Sequence, residues 1–397
     1  MSDFVQSSGR GKPREKLYKD PNLQIIFAVT LTAVMGVATI TPAFPKIVKK
    51  LGISSSQIGL LITVFTLPGI FLTPILGALA DRLGRKRILV PSLLLFGVAG
   101  FACAFMKNFY LLLVFRFFQG VGASALGSLN VTIIGDLYSG KERISAMGYN
   151  ASVLSIGTAT YPALGGALAY LGWRYPFFLF FLGVPVGLLV LFFLKNPEPR
   201  SEQRFKDYLR GAWQGIKNKK VLGLFSAGVM TFIILYGAML TYLPILLDFE
   251  FNAPAHFIGI IISCSSVSSA LTSSQLGKIA KYLSEPTLIR LAFFLYALVM
   301  ILNLVMPGMW WFLLPSFIFG IAQGINMPSI SALLAGLAPM EHRAIFMSLN
   351  GMLIRLGQTL GPVIMAGFFA IAGLGAVYLA GTGLSLIMFV LIAFLIR

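Results

Sequence analysis

The sequence predicts an all-α integral membrane protein, with twelve transmembrane helices in two pseudo-symmetric six-helix bundles. Three observations carry that expectation. The 397-residue chain is 57% hydrophobic and only 11% charged, against roughly 25% charged residues in a soluble domain. Apolar stretches long enough to cross roughly 30 Å of hydrocarbon recur along its whole length. And the chain repeats itself at an offset of 200 residues. Helices are expected because the stretches lack the alternation of barrel strands, and only a helix otherwise satisfies its own backbone in lipid.

The elements follow in order. Residues 1–22 form a basic tail, too hydrophilic for a signal peptide. The first bundle, 23–194, holds spans at 23–48, 54–80, 88–106, 109–138, 143–171 and 174–194. Span one carries Thr39, Thr41, Pro42 and Pro45 near its end. Between spans two and three lies GALADRLGRKRIL, 77–89, which places Asp81, Arg82, Arg85, Lys86 and Arg87 in seven positions. Such a charge knot cannot sit in lipid, so it marks a short turn at an aqueous face, with Gly77 and Gly84 making it tight and closely packed. Span four carries Arg116, Gln119, Ala123, Gly127 and Asn130 on one helical face, small residues between polar ones, as a cavity wall needs. Span five spaces Gly148, Gly157, Gly165 and Gly166 for close helix approach.

Residues 195–219 are the longest hydrophilic stretch after the tail. Within it Phe205, Tyr208, Leu209, Ala212, Trp213 and Ile216 recur at helical spacing among basic residues. This reads as an amphipathic helix on the inner membrane surface, or as a partner-binding segment. The second bundle, 220–397, holds spans at 220–248, 254–282, 286–306, 309–338, 341–372 and 374–396, and Trp310 and Trp311 open the tenth as interfacial anchors.

Basic residues set the orientation. Of the 31, 24 fall in the tail and in the loops on its side of the membrane. Five (Lys46, Lys49, Lys50, Lys107 and Arg174) fall in the opposite loops, and Arg116 and Arg355 lie within spans. That imbalance places both termini in the cytoplasm. It also assigns the net charge of +18 to anionic lipid headgroups rather than nucleic acid. Cys103 and Cys264 sit in apolar segments without zinc spacing, and neither metal nor cofactor is expected.

The repeat pairs Arg143, Met147, Asn150, Gly157 and Pro162 with Arg343, Met347, Asn350, Gly357 and Pro362. It also pairs Leu76, Gly77, Ala80 and Leu83 with Leu276, Gly277, Ala280 and Leu283. Shared Arg, Asn, Gly and Pro at one offset point to two related bundles, with a substrate site between them near the midplane and transport by rocking. Asp81 has no acidic counterpart, since Lys281 stands there. Arg355, mid-span in the eleventh helix, has no matching intramembrane acid. It binds an anionic or catecholate-like substrate, or caps helix carbonyls. None of the thirteen acids lies clearly at the membrane centre, which weakens proton coupling; if protons drive transport, Asp136, Asp81 or the substrate must carry them, with Arg116 tuning the balance.

The motifs resemble a known group. GALADRLGRKRIL is similar to the signature loop between spans two and three of the major facilitator superfamily. VFRFFQGVGAS, 114–124, resembles the fourth-span motif of its twelve-helix drug/proton antiporter branch, and GYNASVLSIGTATYPALGG, 148–166, resembles the fifth-span antiporter motif. The 53–90 region looks like that of multidrug and bacillibactin-type siderophore exporters. One departure is Tyr161 before Pro162, where the motif has Gly; Gly361-Pro362 keeps it in the repeat.

The resemblance implies a monomeric secondary transporter of the bacterial inner membrane. It would export small amphipathic or aromatic compounds by alternating access, in exchange for protons. Asp81, Arg85 and Asp136 would form an inner gate that holds the outward-open state, while Arg82, Lys86 and Arg87 serve topology. Arg116 would take part in proton coupling, or else act as a hydrogen-bond hub. Spans one, four, seven and ten would line the cavity, giving Gln119, Asn130, Tyr236, Tyr242, Gln323 and Asn326 as candidates beside Tyr161 and Arg355. Gly148, Gly157, Pro162, Gly165 and Gly166 of span five would seal the bundles near span eleven, with its Gly357, Gly361 and Pro362. The alternative is uptake or exchange of an organic anion at Arg355 and Arg116, or uniport, without protons. Enzyme chemistry finds no HExxH, Walker loop or GxSxG with partners.

Overall fold

The computed structural model describes residues 17–196, 218–337 and 343–395, and every regular element among them is helical. Helix α1, Pro21–Ala38, starts with Pro at its first position and an Asp20 N-cap that accepts from the Asn22 N–H at 2.9 Å. It breaks at a 3-10 turn, Thr41–Ala43, and resumes as α2, Phe44–Leu51. Pro42 and Pro45 each remove a backbone donor there, and Gly52, at φ 63°, ends the segment.

Helix α3, Leu60–Leu83, reverses into α4, Arg85–Ala102, through one residue. That residue is Gly84, whose φ of 106° strains any side chain. The expected tight turn is therefore one residue long. Gly77 takes no part in it, because its position faces open space. Helices α5, Phe109–Leu137, and α6, Gly140–Leu171, follow, α5 capped by Asn108. The short α7, Tyr175–Phe178, leads through a 3-10 turn into α8, Gly183–Phe193.

The second half repeats the pattern with α9, Lys219–Ile233, and α10, Leu243–Phe251, joined by a π-helical stretch, Ile234–Tyr242. Then come α11, Ala255–Ile279, α12, Glu285–Val305, α13, Leu313–Leu337, and α14, Arg343–Leu395. The last is 53 residues long and breaks at Ala372 and Gly373, which are not helical.

Ten of the described segments are long and apolar enough to cross a membrane. Helix α6 is not among them: its 32 residues have the length, but its Ser, Thr and Gly content leaves it short of apolarity. The expected amphipathic helix of the 195–219 linker lies outside the described residues, apart from the ends of that range.

Buried apolar side chains fall into two clusters. One draws on residues 23–194 with Ile245 and Ala255, the other on residues 221–392. The bundles meet where α6 packs on α11 and α3 packs on α14. This corrects the expected pairing of spans five and eleven: the fifth meets the eighth, and the eleventh meets the second.

Among the described residues, the seam is closed at one end only. Let the end where α1 begins be the terminal face and the end of Gly52 and Asn252 the far face. In the far halves, a Cβ on Gly259 would stand 2.3 Å from the Pro162 carbonyl oxygen, and one on Gly166 2.5 Å from that of Ala255. Gly59 would meet Pro362 Cβ at 2.8 Å. The Ala163 N–H donates to Ser263 Oγ at 3.0 Å, and the Thr63 hydroxyl to the Thr359 carbonyl at 3.1 Å. At the far face itself, Lys49 of α2 bridges to Asp248 of α10 at 2.7 Å, and the Tyr170 ring meets His256 edge-on at 5.1 Å. In the terminal-face halves of the same four helices, Gly77, Gly148, Gly277 and Gly351 face open space.

Candidate functional site

The charge knot assembles as a cluster inside the first bundle. Because Gly84 reverses the chain in one step, Arg85 opens α4 directly beneath the end of α3. Its guanidinium bridges Asp81 at 2.7 Å and Asp136, at the end of α5, at 3.0 Å, and donates to the Ala80 carbonyl at 3.1 Å. Arg85 is buried, and Lys86 reaches the Leu194 carbonyl at 3.2 Å. Arg82 and Arg87 are exposed. All three members of the cluster belong to the first bundle, and the cluster is intact while the far face is closed. It is therefore not broken in the arrangement where the terminal-face halves stand apart, which corrects the expectation that it holds only the opposite state.

Arg116 is fully buried and ties three helices together. Its Nε donates to the Leu61 carbonyl of α3 at 3.1 Å. Its Nη1 donates to the Gly36 carbonyl of α1 at 3.0 Å and to Gln119 Oε1 at 2.7 Å. The guanidinium also lies 4.2 Å from the centroid of the Phe65 ring. These partners replace water for a cation that hydrocarbon alone could not hold.

Two buried polar triads stand in matching places. In the first bundle, Thr30 donates to Asn150 Oδ1 at 2.5 Å and Asn130 donates to Thr30. In the second, Asn326 donates to the Thr231 hydroxyl at 2.7 Å, with Asn350 beside Gly228 of the same helix as Thr231. Tyr296 donates to Gln323 at 2.5 Å and accepts from Asn326 at 3.4 Å. The repeat exposes only the Asn150–Asn350 pair; Thr30 and Thr231 stand at nearly the same offset, a signal that sequence reasoning missed.

These contacts correct several expected cavity residues. Gln119, Asn130, Tyr242 and Asn326 are buried within their bundles. Polar side chains in an apolar interior bond to one another, and that demand draws them inward. Tyr242 stacks on Phe369, centroids 5.1 Å apart. Gln323, Tyr161, Tyr236 and Arg355 keep partial exposure.

Among the interface candidates, Gly157 packs on Val34 of α1, Gly165 on the Thr39 carbonyl, and Gly357 and Gly361 on the Val229 and Ile233 carbonyls. These contacts lie within bundles. Gly166, Pro162 and Pro362 make contacts between bundles, and Gly148 faces open space in this arrangement. Arg355 runs along Gly69 of α3 at the seam.

Sequence reasoning also missed the π-helical stretch. There the Thr241 hydroxyl donates to the Tyr236 carbonyl, five residues back, at 2.7 Å. The Lys49–Asp248 bridge escaped it too, since two charged loop residues nearly 200 positions apart leave no local signal.

Two apolar helical bundles, closed against each other at one end and parted at the other, with cations and hydroxyls along the seam, define a multi-pass membrane carrier. The chain matches the family model of the Major Facilitator Superfamily over residues 26–255 and 243–397, and it belongs to that superfamily. It is thus a membrane transporter and not an enzyme. It is 26% identical over 363 residues to the quinolone resistance protein NorA of Staphylococcus aureus (strain MRSA252), covering 90% of this chain and 92% of that protein. It is 28% identical over 366 residues to the bacillibactin exporter of Bacillus subtilis (strain 168), covering 87% and 89%. Among solved structures, the nucleoside transporter NupG superposes with a TM-score of 0.80 at 15% identity, covering 95% of this chain and 99% of that one. A bacterial homologue of the human lysosomal transporter Spinster, in an inward-facing and occupied conformation, gives 0.75 at 18% identity, covering 96% and 95%. At these identities the two structures speak for the fold alone.

Proposed function

We propose that the protein exports small amphipathic or aromatic compounds, of the drug or siderophore kind, by alternating access in exchange for protons. In this reading twelve spans cross a bacterial inner membrane, both termini are cytoplasmic, and the chain works as a monomer among membrane lipids. The division is a tail at 1–22, bundles at 23–194 and 220–397, and a linker at 195–219. The break at Ala372–Gly373 makes α14 two spans, and α6 supplies another. The carrying observation is the one-ended seam: bundles locked at the far face and parted at the terminal face are an inward-facing carrier once the positive-inside rule makes the terminal face cytoplasmic. The NorA and bacillibactin-exporter likeness supports export and the compound class.

Proton coupling rests on the resemblance. The Asp81–Arg85–Asp136 cluster is the place where carboxylates and a buried cation meet, and a change of proton occupancy there would alter how α3, α4 and α5 hold together. The alternative, exchange of an organic anion without protons, draws support from Arg355. The deciding test is purified protein in proteoliposomes with an imposed pH gradient, offered cationic dyes, catecholate siderophores and organic anions. Uptake into inverted vesicles that rises with an inward-acid gradient is expected, and transport indifferent to the gradient removes proton coupling.

A further inference from the structure

The two arginines inside the spans meet opposite surroundings. Arg116 is fully buried and spends its Nε and Nη1 donors on carbonyl oxygens of its own bundle. Arg355 lies between the bundles and is only partly buried. Its side chain runs along Gly69 of α3, so close that a Cβ there would stand 3.1 Å from Cδ, 3.2 Å from Nε and 3.4 Å from Cζ. Gly69 therefore acts as a slot that lets the arginine lie across the seam.

The Arg355 guanidinium makes no hydrogen bond or ion pair among the described residues. The described carboxylates lie toward the two faces: Asp81 and Asp136 at the terminal face, Asp248 at the far face. From the second bundle, Phe232 packs against Gly357, two residues along from Arg355, and its ring sits 5.8 Å from that of Tyr236. An uncompensated guanidinium at mid-membrane is costly. Arg116 illustrates how this fold offsets such a cost when the arginine only joins helices. Arg355 has been left its donors at the seam where the bundles meet.

We propose that Arg355 is the substrate-anion site of this carrier. It takes the carboxylate of an aromatic monoanion in bidentate fashion, with the aromatic ring against Tyr236 and Phe232. The planar fork of a guanidinium matches a carboxylate in geometry and charge. Because the site is shared by α3, the π-helical stretch and α14, a bound anion bridges the bundles and offsets the arginine's charge while they rock. Arg116, enclosed within its own bundle, has no part in substrate binding. This inference rests on the carrier reading above and narrows its substrate class.

The test is counterflow in proteoliposomes with two labelled probes of similar shape and opposite charge, 1-naphthoate and 1-naphthylmethylammonium. The wild type should exchange naphthoate. Arg355→Gln should lower the naphthoate-to-ammonium flux ratio by at least about tenfold, the loss of one charge-assisted pair. Arg355→Lys, which keeps the charge without the fork, should lower it by a smaller factor. Gly69→Ala keeps the arginine but fills its slot, and should depress the ratio too, giving a route that does not depend on Arg355→Gln folding. An unchanged ratio in monodisperse Arg355→Gln and in Gly69→Ala overturns the proposal. So does an equal loss of both probes in a folded variant, which a merely structural arginine would produce. If the wild type exchanges the ammonium and not naphthoate, the anion site falls and the carrier stands. If it exchanges neither, both fall.

Discussion

Charge in an apolar setting is decided residue by residue, by which acceptors come within reach. Arg85 has two carboxylates, one of them nearly as buried as itself. Removing one partner of such a pair leaves a cation under-compensated in low dielectric, a loss of roughly 3 kcal/mol when the pair is well buried. Asp136→Ala is therefore expected to lower the unfolding temperature in detergent and to abolish transport. Asp81 is more exposed, and its loss leaves Arg85 paired with Asp136. Asp81→Asn should keep the wild-type unfolding temperature while losing transport, and full transport by that variant removes the gate role. Arg116→Lys presents a different case. One ammonium cannot reach the Leu61 and Gly36 carbonyls and Gln119 in the same directions, so about 2 kcal/mol of stability should go. Thermal unfolding of the purified variant in detergent measures it.

Elements here are shaped by small residues and by helix breaks. Helices α6 and α11 approach until a Cβ at Gly259 would overlap the backbone of Pro162. No flexible side chain can yield there; the helices must part. Gly259→Val is expected to disfavour the closed far face. Spin labels at Lys50 and Glu250, both exposed, should then gain a longer distance in double electron–electron resonance. The π-helical stretch is the other element-scale feature. Such stretches put one extra residue into a turn and are frequent at functional sites. Here the stretch carries Tyr236 on the helix that faces α14, and Gly237 packs against the Gly361 carbonyl. Thr241→Val removes the side-chain bond to the Tyr236 carbonyl and should alter substrate affinity more than stability, as read by equilibrium binding beside thermal unfolding.

Across the whole molecule, the close helix packing at the seam is joined at the far face by a charge pair of modest strength. Lys49 is 62% exposed, so its bridge to Asp248 contributes roughly 0.2–1 kcal/mol. In a two-state carrier that is enough to move the balance by up to about fivefold. Lys49→Glu should enlarge the long-distance population between the same labels, and Lys49→Glu with Asp248→Lys should restore the short one.

The sequence by itself determined the class of protein, most span positions, the repeat and the charge knot, because each is written in composition, spacing or one offset. Hydrophobicity must match the membrane segment by segment, and that demand is local. Only the tertiary structure decided which helices form the seam, which polar residues turn inward to each other, and which face is closed. Asn130 and Asn326 look like cavity residues on a helical wheel, yet their partners include side chains on other helices, where no wheel places them. Arg116 and Arg355 are alike in sequence, one arginine in an apolar span. Packing gave the first three acceptors in its own bundle and left the second open between two bundles, because a cation's fate in lipid depends on what lies within about 3 Å of it in space.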